Sequence, residues 1–507
     1  MSHTAGLPLL AQSNRYGERT AIIDGRGTFT YADLLRTSSS VAATLLAGRK
    51  DLEEERIAFA VTPGFSWVTT QWGIWRAGGV AVPLPLRSPT PELEYFIDDS
   101  RPSMVVADAS TLPHLSRVIA SRGRMRALAY DEPGTRQTTE PQEIGLNIGT
   151  QRRAMILYTS GTSNRPKGVV TTHANITAQI ESLVEAWEWS ADDCILLCLP
   201  LHHVHGIINV VSCALWAGAT CQVLPRFDAN AVWDRIASGS LTVFMAVPTI
   251  YTKLIAAWEA ASAGHRKVLS AGCAGMRLMV SGSAALPVST LLRWKEISGH
   301  TLLERYGMTE IGMALSNPLR GDRVPGSVGK PLPGVEVQLV GEDGKPVSPG
   351  TAGEIEVRGP GVFTEYWGQP EATRAVCRAG WFRTGDLAVV ENGVYRILGR
   401  TGVDVLKTGG HKVSALEIEE VLRQHPAVAE CAIVGVPDVE WGERVAAAVV
   451  LHEGQALDLP SLRTWSLKLL ATHKVPSRLL MLDALPRNAM GKVLKSRVRG
   501  LFKAGGD

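Results

Sequence analysis

Short apolar runs alternate with amphipathic segments through the N-terminal half of the chain. The runs at 56–61, 80–84 and 104–107 are apolar almost throughout, which is typical of strands that are buried on both faces. Segments 67–77 and 175–187 instead repeat apolar residues at helical spacing. Strands that alternate with helices predict parallel βαβ units. The predicted fold class is therefore α/β, with wound sheets in a large N-terminal domain.

The pattern changes after about residue 324, where glycine, proline and valine become dense. Strand-like segments then dominate, which predicts a small β subdomain over 324–398. Further along, an amphipathic helix at 415–422 is followed by strands and a second helix. The predicted organisation is an N-terminal domain of residues 1–398 and a small, mobile α+β lid domain of residues 399–507.

Composition narrows the classes of function. The 52 Lys and Arg residues nearly balance the 49 Asp and Glu residues, and no basic run suggests nucleic acid as a partner. The most apolar stretch, 206–221, is shorter than the ~20 residues of a membrane span and predicts a buried helix. The seven cysteines lie mostly in apolar runs, which favours buried thiols over a metal site. Because no signal peptide is recognisable, a soluble cytoplasmic protein is expected.

The stretch YTSGTSNRPKG, from Tyr158 to Gly168, predicts a loop that binds phosphate. Glycines let backbone N–H groups approach phosphate oxygens, hydroxyls add donors, and a lysine adds positive charge. Taken alone, a polar surface turn explains the stretch equally well. The spacing also differs from that of the Walker loop. The residues predicted to hold phosphate are Thr159, Ser160, Gly161, Thr162, Ser163 and Lys167.

Five motifs in one order resemble those of the adenylate-forming superfamily, the acyl-CoA synthetases and their relatives. They are this loop, YGMTE at 306–310, TGD at 384–386, GR at 399–400 and PRNAMGK at 486–492. The resemblance covers nearly the whole chain. It implies that a carboxylate attacks the α-phosphate of ATP to form an acyl-adenylate, which the thiol of CoA then converts to a thioester. ATP, Mg²⁺ and CoA are therefore the expected cofactor and substrates.

The resemblance also implies roles for single residues. Glu310 would bind Mg²⁺ with Thr159 nearby, and Asp386 would bind the ribose hydroxyls; out of this context, they would be a solvated acid and part of a turn. Arg400 would reach the ribose or a phosphate. Lys492 would enter the cleft during adenylation and stabilise negative charge there. The catalytic residues are thus expected to be Lys492, Glu310 and Thr159.

Two larger sets of residues follow from the same resemblance. The nucleotide is expected to contact Ser283, Ala284, Glu304, Arg305, Tyr306, Gly307 and Thr309 in addition to the residues above. After rotation of the lid, CoA is expected to contact Gly409, Gly410, His411 and Lys412. The lid would pivot near Gly402 or Asp404.

Four segments, at 200–206, 245–251, 277–287 and 304–313, are similar to those of malonyl-CoA synthetases. This resemblance implies that Arg277 pairs with the distal carboxylate of a small diacid, because a bidentate guanidinium distinguishes a carboxylate from a methyl group. A strand-start arginine facing solvent is the alternative. The remaining residues expected to contact the acid are His203, His205, Ser281 and Met308.

Malonate is therefore the expected acid, and methylmalonate remains open. A ligase for short monocarboxylates and a free-standing enzyme that loads a carrier protein are the alternatives. A non-catalytic binding protein is disfavoured because Lys167, Glu310, Asp386, Arg400 and Lys492 are all present. The expected partners are small molecules, without a membrane, and the protein is expected to be a monomer or a homodimer.

Overall fold

The computed structural model describes residues 7–86, 88–122, 126–130, 148–159, 165–487 and 493–504. In these residues the strands β1 to β26 are, in chain order, Thr20–Asp24, Gly27–Thr30, Arg56–Ala60, Val80–Pro83, Met104–Ala107, Arg126–Ala129, Arg153–Thr159, Lys167–Thr172, Cys194–Leu197, Thr220–Val223, Val243–Ala246, Leu278–Ser281, Leu303–Met308, Gly312–Ser316, Lys330–Pro331, Glu336–Val340, Gly353–Arg358, Glu365–Tyr366, Cys377–Arg378, Trp381–Glu391, Val394–Arg400, Val405–Thr408, His411–Ser414, Val428–Asp438, Gly442–Leu451 and Arg478–Met481.

The α-helices of the same residues, α1 to α15, are Pro8–Ser13, Tyr31–Leu46, Phe65–Arg76, Thr90–Ser100, Leu112–Ala120, His173–Ala186, Cys213–Ala217, Ala229–Ala237, Pro248–Ala260, Ala263–Gly272, Val288–Ser298, Pro370–Val376, Ala415–Leu422, Leu459–Ser466 and Lys495–Ala504. A π-helix, His205–Ser212, leads directly into α7. Among these residues, no helix combines the length and the apolar character needed to cross a bilayer.

Two large sheets form the N-terminal part of the molecule. The first has the order β15-β14-β13-β12-β11-β9-β10-β1-β2, and its strands from β13 to β1 are parallel. The second has the order β18-β8-β7-β4-β3-β5-β6 and is parallel from β7 to β6. These strands read as continuous apolar runs because helices cover both faces of a parallel sheet. The predicted α/β class with wound sheets is confirmed.

Two smaller sheets follow along the chain. An antiparallel sheet β16-β17-β20-β19, with β21 paired to β20, occupies the region predicted to be β-rich. The last sheet, β23-β22-β25-β24 with β26 on β25, packs against α13 and α15. The predicted start of the lid at residue 399 falls inside β21, which ends at Arg400.

One apolar cluster joins the two large sheets. It includes Ile57 and Phe59 from β3 together with Val243 and Phe244 from β11, and all four are fully buried. Protein interiors pack as densely as organic crystals, so such a cluster fixes the two sheets relative to each other. The strand ends at the edge of the first sheet are therefore held in place for the site.

The single helix predicted over 206–221 is not what the structure contains. The segment divides into the π-helix, α7 and strand β10, and Cys221 lies in that strand. Gly218, at a φ of 81°, ends α7. Glycine adopts this left-handed conformation without the steric penalty of a Cβ, so it is a natural end for a helix.

Candidate active site

The carboxyl ends of the parallel strands β11 and β12, together with the start of β13, form one wall of the site. Ala246 of β11, Ser281 of β12 and Glu304 of β13 are neighbours across the sheet. Ligands of wound α/β sheets bind outside this edge. The loop after β12 and the C-terminal half of β13 therefore lie together, and they hold five of the residues predicted to contact nucleotide or acid: Ser283, Ala284, Tyr306, Gly307 and Met308.

Asp386 and Arg400, predicted to contact ribose, are cross-strand partners on β20 and β21. Arg400 Nε donates to Asp386 Oδ1 over 2.8 Å, and the Tyr306 hydroxyl donates to Asp386 Oδ2 over 2.7 Å. Burial opposes the charge of Arg400, but the carboxylate of Asp386 holds the pKa of the guanidinium above its ordinary value. The structure thus brings three predicted residues from two sheets into one hydrogen-bonded group.

A second group joins the ends of the phosphate loop to Glu310. Thr159 and Lys167 face each other at the end of the β7–β8 pair. Lys167 Nζ lies 4.7 Å from the centre of the Tyr366 ring, and the Tyr366 hydroxyl donates to Glu310 Oε1 over 2.9 Å. Ser160, Gly161, Thr162 and Ser163, also predicted to hold phosphate, lie outside the described residues.

Glu310 is buried, and burial raises the pKa of its carboxyl. The Tyr366 hydroxyl and the positive charges of Arg400 and Lys167 act in the opposite direction. Tyr366 was not predicted as a site residue. No motif surrounds it, and its proximity to Glu310 arises only because β18 pairs with β8.

The residues that flank the phosphate loop are fixed to α4. The Tyr158 hydroxyl donates to Asp99 Oδ2 over 2.7 Å, and the Tyr95 hydroxyl donates to the Pro166 carbonyl over 2.6 Å. The guanidinium of Arg165 lies 5.7 Å from the centre of the Tyr95 ring. Tyr95 and Asp99 are therefore positioning residues for the loop, and sequence reasoning missed both.

A third group lies where β12 and β13 meet the π-helix. Ser283 Oγ is 3.2 Å from His205 Nδ1 and 3.5 Å from Arg305 Nη2. A Cβ on Gly282 would lie only 2.6 Å from the guanidinium of Arg305, so glycine is required for the arginine to cross the strand end. Ser283 itself adopts a φ of 68°, a conformation that is uncommon for serine.

The strands and the π-helix that form the third group, and the loop before that helix, carry several buried polar atoms without partners. Within the described part of the chain, no hydrogen bond is made by His203 Nε2, His205 Nε2, Asn209 Nδ2, Asn209 Oδ1, Ser281 Oγ, Glu304 Oε2 and Arg305 Nε. Buried polar atoms in proteins are nearly always paired, and each such group needs an explanation. Their concentration at one strand edge is what a binding site for a polar ligand requires.

Burial also changes the charges of this group. It lowers the pKa of the Arg305 guanidinium to about 9 and that of the His203 imidazole to about 4. The pKa of His205 is likewise lowered by burial and by the charge of Arg305. At neutral pH the imidazoles are therefore uncharged, whereas Arg305 remains a buried cation. Among the described residues, no carboxylate forms an ion pair with it.

Arg277 is the main correction to the predicted site. It precedes β12, at the edge of the sheet opposite to Ser281. Its Nε and Nη2 donate to the two carboxylate oxygens of Asp193 over 2.6 Å each, and its Nη1 donates to the Trp187 carbonyl. The guanidinium is therefore occupied and points away from the site, so it is not available for the distal carboxylate.

Other predicted residues lie at the edge of the site. Gly307 is constrained because a Cβ there would come within 2.1 Å of the Gly312 carbonyl oxygen, at the bulge between β13 and β14. Met308 and Thr309 continue from it and are half-buried, whereas Ala284 is exposed in the loop after β12. Their roles towards nucleotide or acid remain predictions.

The residues predicted to contact CoA form the turn between β22 and β23. Gly409 and Gly410 have φ values of 54° and 79°, and a Cβ on Gly409 would lie 2.9 Å from the Trp441 ring. His411 stacks on His473 at 4.3 Å, and Lys412 Nζ is 2.6 Å from Glu342 Oε1. Lys492, the predicted catalytic lysine, lies outside the described residues.

The chain resembles known proteins over nearly its whole length. A model of the AMP-binding enzyme family matches residues 9–367, and one of the AMP-binding enzyme C-terminal domain matches residues 417–492. A mouse protein named malonate–CoA ligase ACSF3, mitochondrial, is 46% identical over 99% of this chain and 92% of its own. A malonate–CoA ligase of Arabidopsis thaliana is 40% identical over 89% and 79%, respectively. The crystal structure of ATP-bound MatB from Rhodopseudomonas palustris has a TM-score of 0.88 at 36% identity, covering 98% of this chain and 99% of that one.

The prediction of a cytoplasmic protein is wrong on this comparison. The relatives from mouse, cattle, human and Xenopus laevis are all named as mitochondrial proteins. The prediction depended on the lack of an apolar secretory signal. Mitochondrial targeting segments are amphipathic and rich in arginine, so that criterion does not detect them.

Proposed function

The chain belongs to the AMP-binding enzyme family, within the adenylate-forming superfamily, and we propose that it is an ATP-dependent ligase that joins malonate to CoA. One malonate carboxylate attacks the α-phosphorus of ATP, and pyrophosphate leaves. The sulfur of CoA then attacks the acyl carbon of the malonyl-adenylate, loses its proton and displaces AMP. Relatives named malonate–CoA ligases, similar over nearly the full length, support this assignment.

The buried cation Arg305 is the observation that best supports a diacid. A buried charge without a partner destabilises a protein by several kcal/mol unless a ligand completes it. The distal carboxylate of malonate would pair with Arg305 while the other carboxylate reacts. A monocarboxylate would leave the guanidinium unpaired, so the pocket would discriminate against it. We therefore assign to Arg305 the role that the sequence suggested for Arg277.

The nucleotide would be held by the first group, which contains Asp386, and by the second group, which contains Lys167. Asp386 offers two carboxylate oxygens to the vicinal ribose hydroxyls, and the hydrogen bonds from Tyr306 and Arg400 fix its orientation. Lys167 and the hydroxyl of Thr159 would contact the phosphates. Small residues in the loop after β12, including Ala284, would border the adenine.

The donor set also fits Mg²⁺, which proteins usually bind through one or two carboxylates together with phosphate oxygens and water. Glu310 and Thr159 would hold the ion, which would neutralise charge on the phosphates. The hydrogen bond from Tyr366 holds one oxygen of Glu310 in place, and the other oxygen would bind the ion.

The lid would supply the remaining residues. Lys492 would stabilise the charge that develops between the carboxylate and the α-phosphate during adenylation. The β22–β23 turn, from Gly409 to Lys412, would border the CoA channel after the lid rotates. Two alternatives keep the same adenylation chemistry and differ in the acid or the acceptor: a short monocarboxylate ligase and an enzyme that loads a carrier protein.

Replacement of Arg305 tests the proposed acid. We expect Arg305→Ala to lower kcat/KM for malonate by roughly 100-fold, because an interaction with a charged group contributes about 3 kcal/mol. Activity with acetate and propionate should fall far less. The measurement is CoA-thioester formation with ATP and Mg²⁺ across malonate, methylmalonate, succinate, acetate, propionate and octanoate.

Arg277→Ala is the matched control, since it removes an arginine next to the same sheet but outside the site. It should lower the stability of the protein, because the buried carboxylate of Asp193 loses its cation. The ratio of malonate to acetate activity should not change. A selective loss of malonate activity in Arg277→Ala, with Arg305→Ala unaffected, would reverse the assignment. A wild type that prefers acetate or octanoate would exclude malonate as the substrate.

A further inference from the structure

Asn209 is a buried amide with no partner in an otherwise apolar segment. It is 1% exposed, and neither Nδ2 nor Oδ1 makes a hydrogen bond within the described part of the chain. Its neighbours on the π-helix are Ile207, Ile208, Val210 and Val211, all buried. An apolar residue would therefore fit the packing at this position without leaving polar atoms unpaired.

An unpaired buried amide is unfavourable for stability. A buried donor or acceptor without a partner costs about 1–3 kcal/mol, and Asn209 has both kinds. A nearby residue shows how the same helix pairs a polar group when it serves structure alone. Ser212 is equally buried, and its hydroxyl donates to the Ile207 carbonyl over 2.8 Å. Asn209 has no such internal bond, which points to a ligand.

The geometry of the helix directs Asn209 to the third group of site residues. A π-helix closes i→i+5 hydrogen bonds, so its turn is slightly longer than that of an α-helix, and a residue four positions along still lies close to the same face. Asn209 is four residues after His205, which contacts Ser283, and Ser283 contacts Arg305. The π-helix therefore continues the polar wall of the pocket by one turn, from His205 to Asn209.

The donors of this wall match one carboxylate. If the Ser283 hydroxyl donates to His205 Nδ1, the proton of that imidazole is on Nε2, which has no partner. Arg305 Nε, His205 Nε2 and Asn209 Nδ2 are then three N–H donors without acceptors. An ionised carboxylate has about four lone-pair sites and no proton to donate, so it accepts all three.

We propose that Asn209 is a specificity-determining residue, whose Nδ2 donates to the distal carboxylate of the acid beside Arg305. The proposal rests on the proposed function. It places the neutral amide of Asn209 beside the cation Arg305 as a second donor to the distal carboxylate. The cation attracts any second carboxylate, whereas the amide fixes how that carboxylate lies.

Two variants of similar size test the proposal. We expect Asn209→Leu to lower kcat/KM for malonate by about 30-fold, chiefly through KM, since it deletes a donor to a charged group. The KM for ATP and the activity with propionate should stay within about threefold of the wild type. Asn209→Asp should lower malonate activity at least as much, because its carboxylate repels that of the substrate.

A thermal measurement separates binding from folding. Leucine removes the unpaired amide, so Asn209→Leu should melt no lower than the wild type, although it responds less to malonate. Added malonate should raise the melting temperature of the wild type through ligand linkage and that of the variant much less. Ser212→Ala, from the same helix, is the control and should keep the ratio of malonate to propionate activity.

The outcomes distinguish this proposal from the proposed function. A wild type that prefers malonate, with an unchanged ratio in Asn209→Leu, would overturn the role of Asn209 alone. An equal loss with malonate and propionate, together with a lower melting temperature, would make Asn209 structural. A wild type that does not use malonate would overturn both. If the leucine variant does not fold, the isosteric Asn209→Asp tests the role of Asn209 through the same ratio of malonate to propionate activity.

Discussion

Several single residues of the site have charge states that burial has altered, and Glu304 is the clearest of them. Its carboxyl accepts the Leu286 N–H over 3.1 Å, while Oε2 has no partner among the described residues. Burial raises the pKa of this carboxyl to about 8. At neutral pH the Glu304 carboxyl is therefore largely protonated and uncharged. The neighbouring Arg305 is the charged side chain in this buried wall of the site.

Glu304→Gln tests this charge state through its effect on stability. Because the folded pKa of Glu304 exceeds the unfolded one, the folded protein binds more protons, and its stability falls as the pH rises from about 4.5 through about 8. Glutamine keeps the acceptor for Leu286 and removes this loss. We expect the melting temperature of the variant, relative to that of the wild type, to be higher at pH 8.5 than at pH 5.5 by roughly 2 °C or more.

The exposed pair Glu336 and Arg358 gives a control for the Glu304 experiment. The carboxyl of Glu336 has a lowered pKa because Arg358 bonds to it at the surface. Glu336→Gln should not produce a stability gain that increases between pH 5.5 and 8.5. A Glu304→Gln variant with the same difference from the wild type at both pH values would show that Glu304 is ionised when folded.

The loop between the elements β12 and α11 is held by two carboxylates from different parts of the chain. Glu304 of β13 accepts from Leu286 N, and Glu420 of the lid helix α13 accepts from Val288 N over 3.0 Å. Val288 is the first residue of α11, so the lid supplies an acceptor for one of the N–H groups that have no partner within that helix. This loop contains the residues expected to border adenine, and its conformation is therefore coupled to the position of the lid.

Hydrogen exchange tests this contact between elements. In Glu420→Ala, the amide of Val288 should exchange about fivefold faster, because loss of a side-chain acceptor at a helix N-terminus costs about 1 kcal/mol. Glu420→Gln keeps an acceptor oxygen and should restore much of the protection. Glu417→Ala is the control from the same helix, since Glu417 pairs with Lys474 inside the lid. Unchanged exchange at Val288 in Glu420→Ala would show that the lid does not make this contact with α11 in solution.

Across the whole molecule, one largely buried ion network joins α13 and α15 of the lid to Asp404, which lies between β21 and β22. Lys495 Nζ of α15 is 2.6 Å from Asp404 Oδ1 and 2.7 Å from Glu419 Oε1 of α13. Asp404 Oδ2 in turn accepts from the backbone N–H of Arg400. Burial opposes the charge of Lys495, but the two carboxylates hold its pKa above the ordinary value. The proposed pivot is therefore connected to the helix that follows Lys492.

Lys495→Met tests this connection. It removes the cation that lies between the buried Glu419 and the partly buried Asp404, while Arg423 still contacts Glu419, so the loss should stay below the ~3–5 kcal/mol of a fully broken buried ion pair. Because Lys492 lies three positions before Lys495, we expect adenylation to slow more than thioester formation from preformed malonyl-AMP. Lys495→Arg should recover part of the difference between the two half-reactions.

Arg499→Met is the control for Lys495, since Arg499 lies on the same helix and is 3.8 Å from Glu443 in a partly exposed pair. It should leave the balance of the half-reactions unchanged. Equal losses in both half-reactions of Lys495→Met, in parallel with its melting temperature, would indicate that Lys495 stabilises the lid without positioning the catalytic loop.

Local patterns in the sequence determined the elements and the order of the motifs. Apolar runs and helical spacing depend on neighbouring residues, so the wound α/β sheets followed from them. The resemblance gave Asp386 and Arg400 separate roles towards the ribose, whereas their pairing across β20 and β21 came from the structure. The strand direction could have corrected Arg277, which precedes its strand, whereas Ser281 ends it at the edge where ligands bind.

Only the tertiary structure decided which side chains lack partners. Arg277 and Arg305 are both arginines next to buried strands, and they differ because Asp193 neutralises the first and no described carboxylate reaches the second. The contacts of Glu420 with Val288 and of Lys495 with Asp404 join residues that are far apart in the chain. The π-helix and the unpaired amide of Asn209 also leave no local signal. Whether a buried polar group has a partner depends on residues that are distant in the chain, and the local sequence pattern does not predict which of them lie around it.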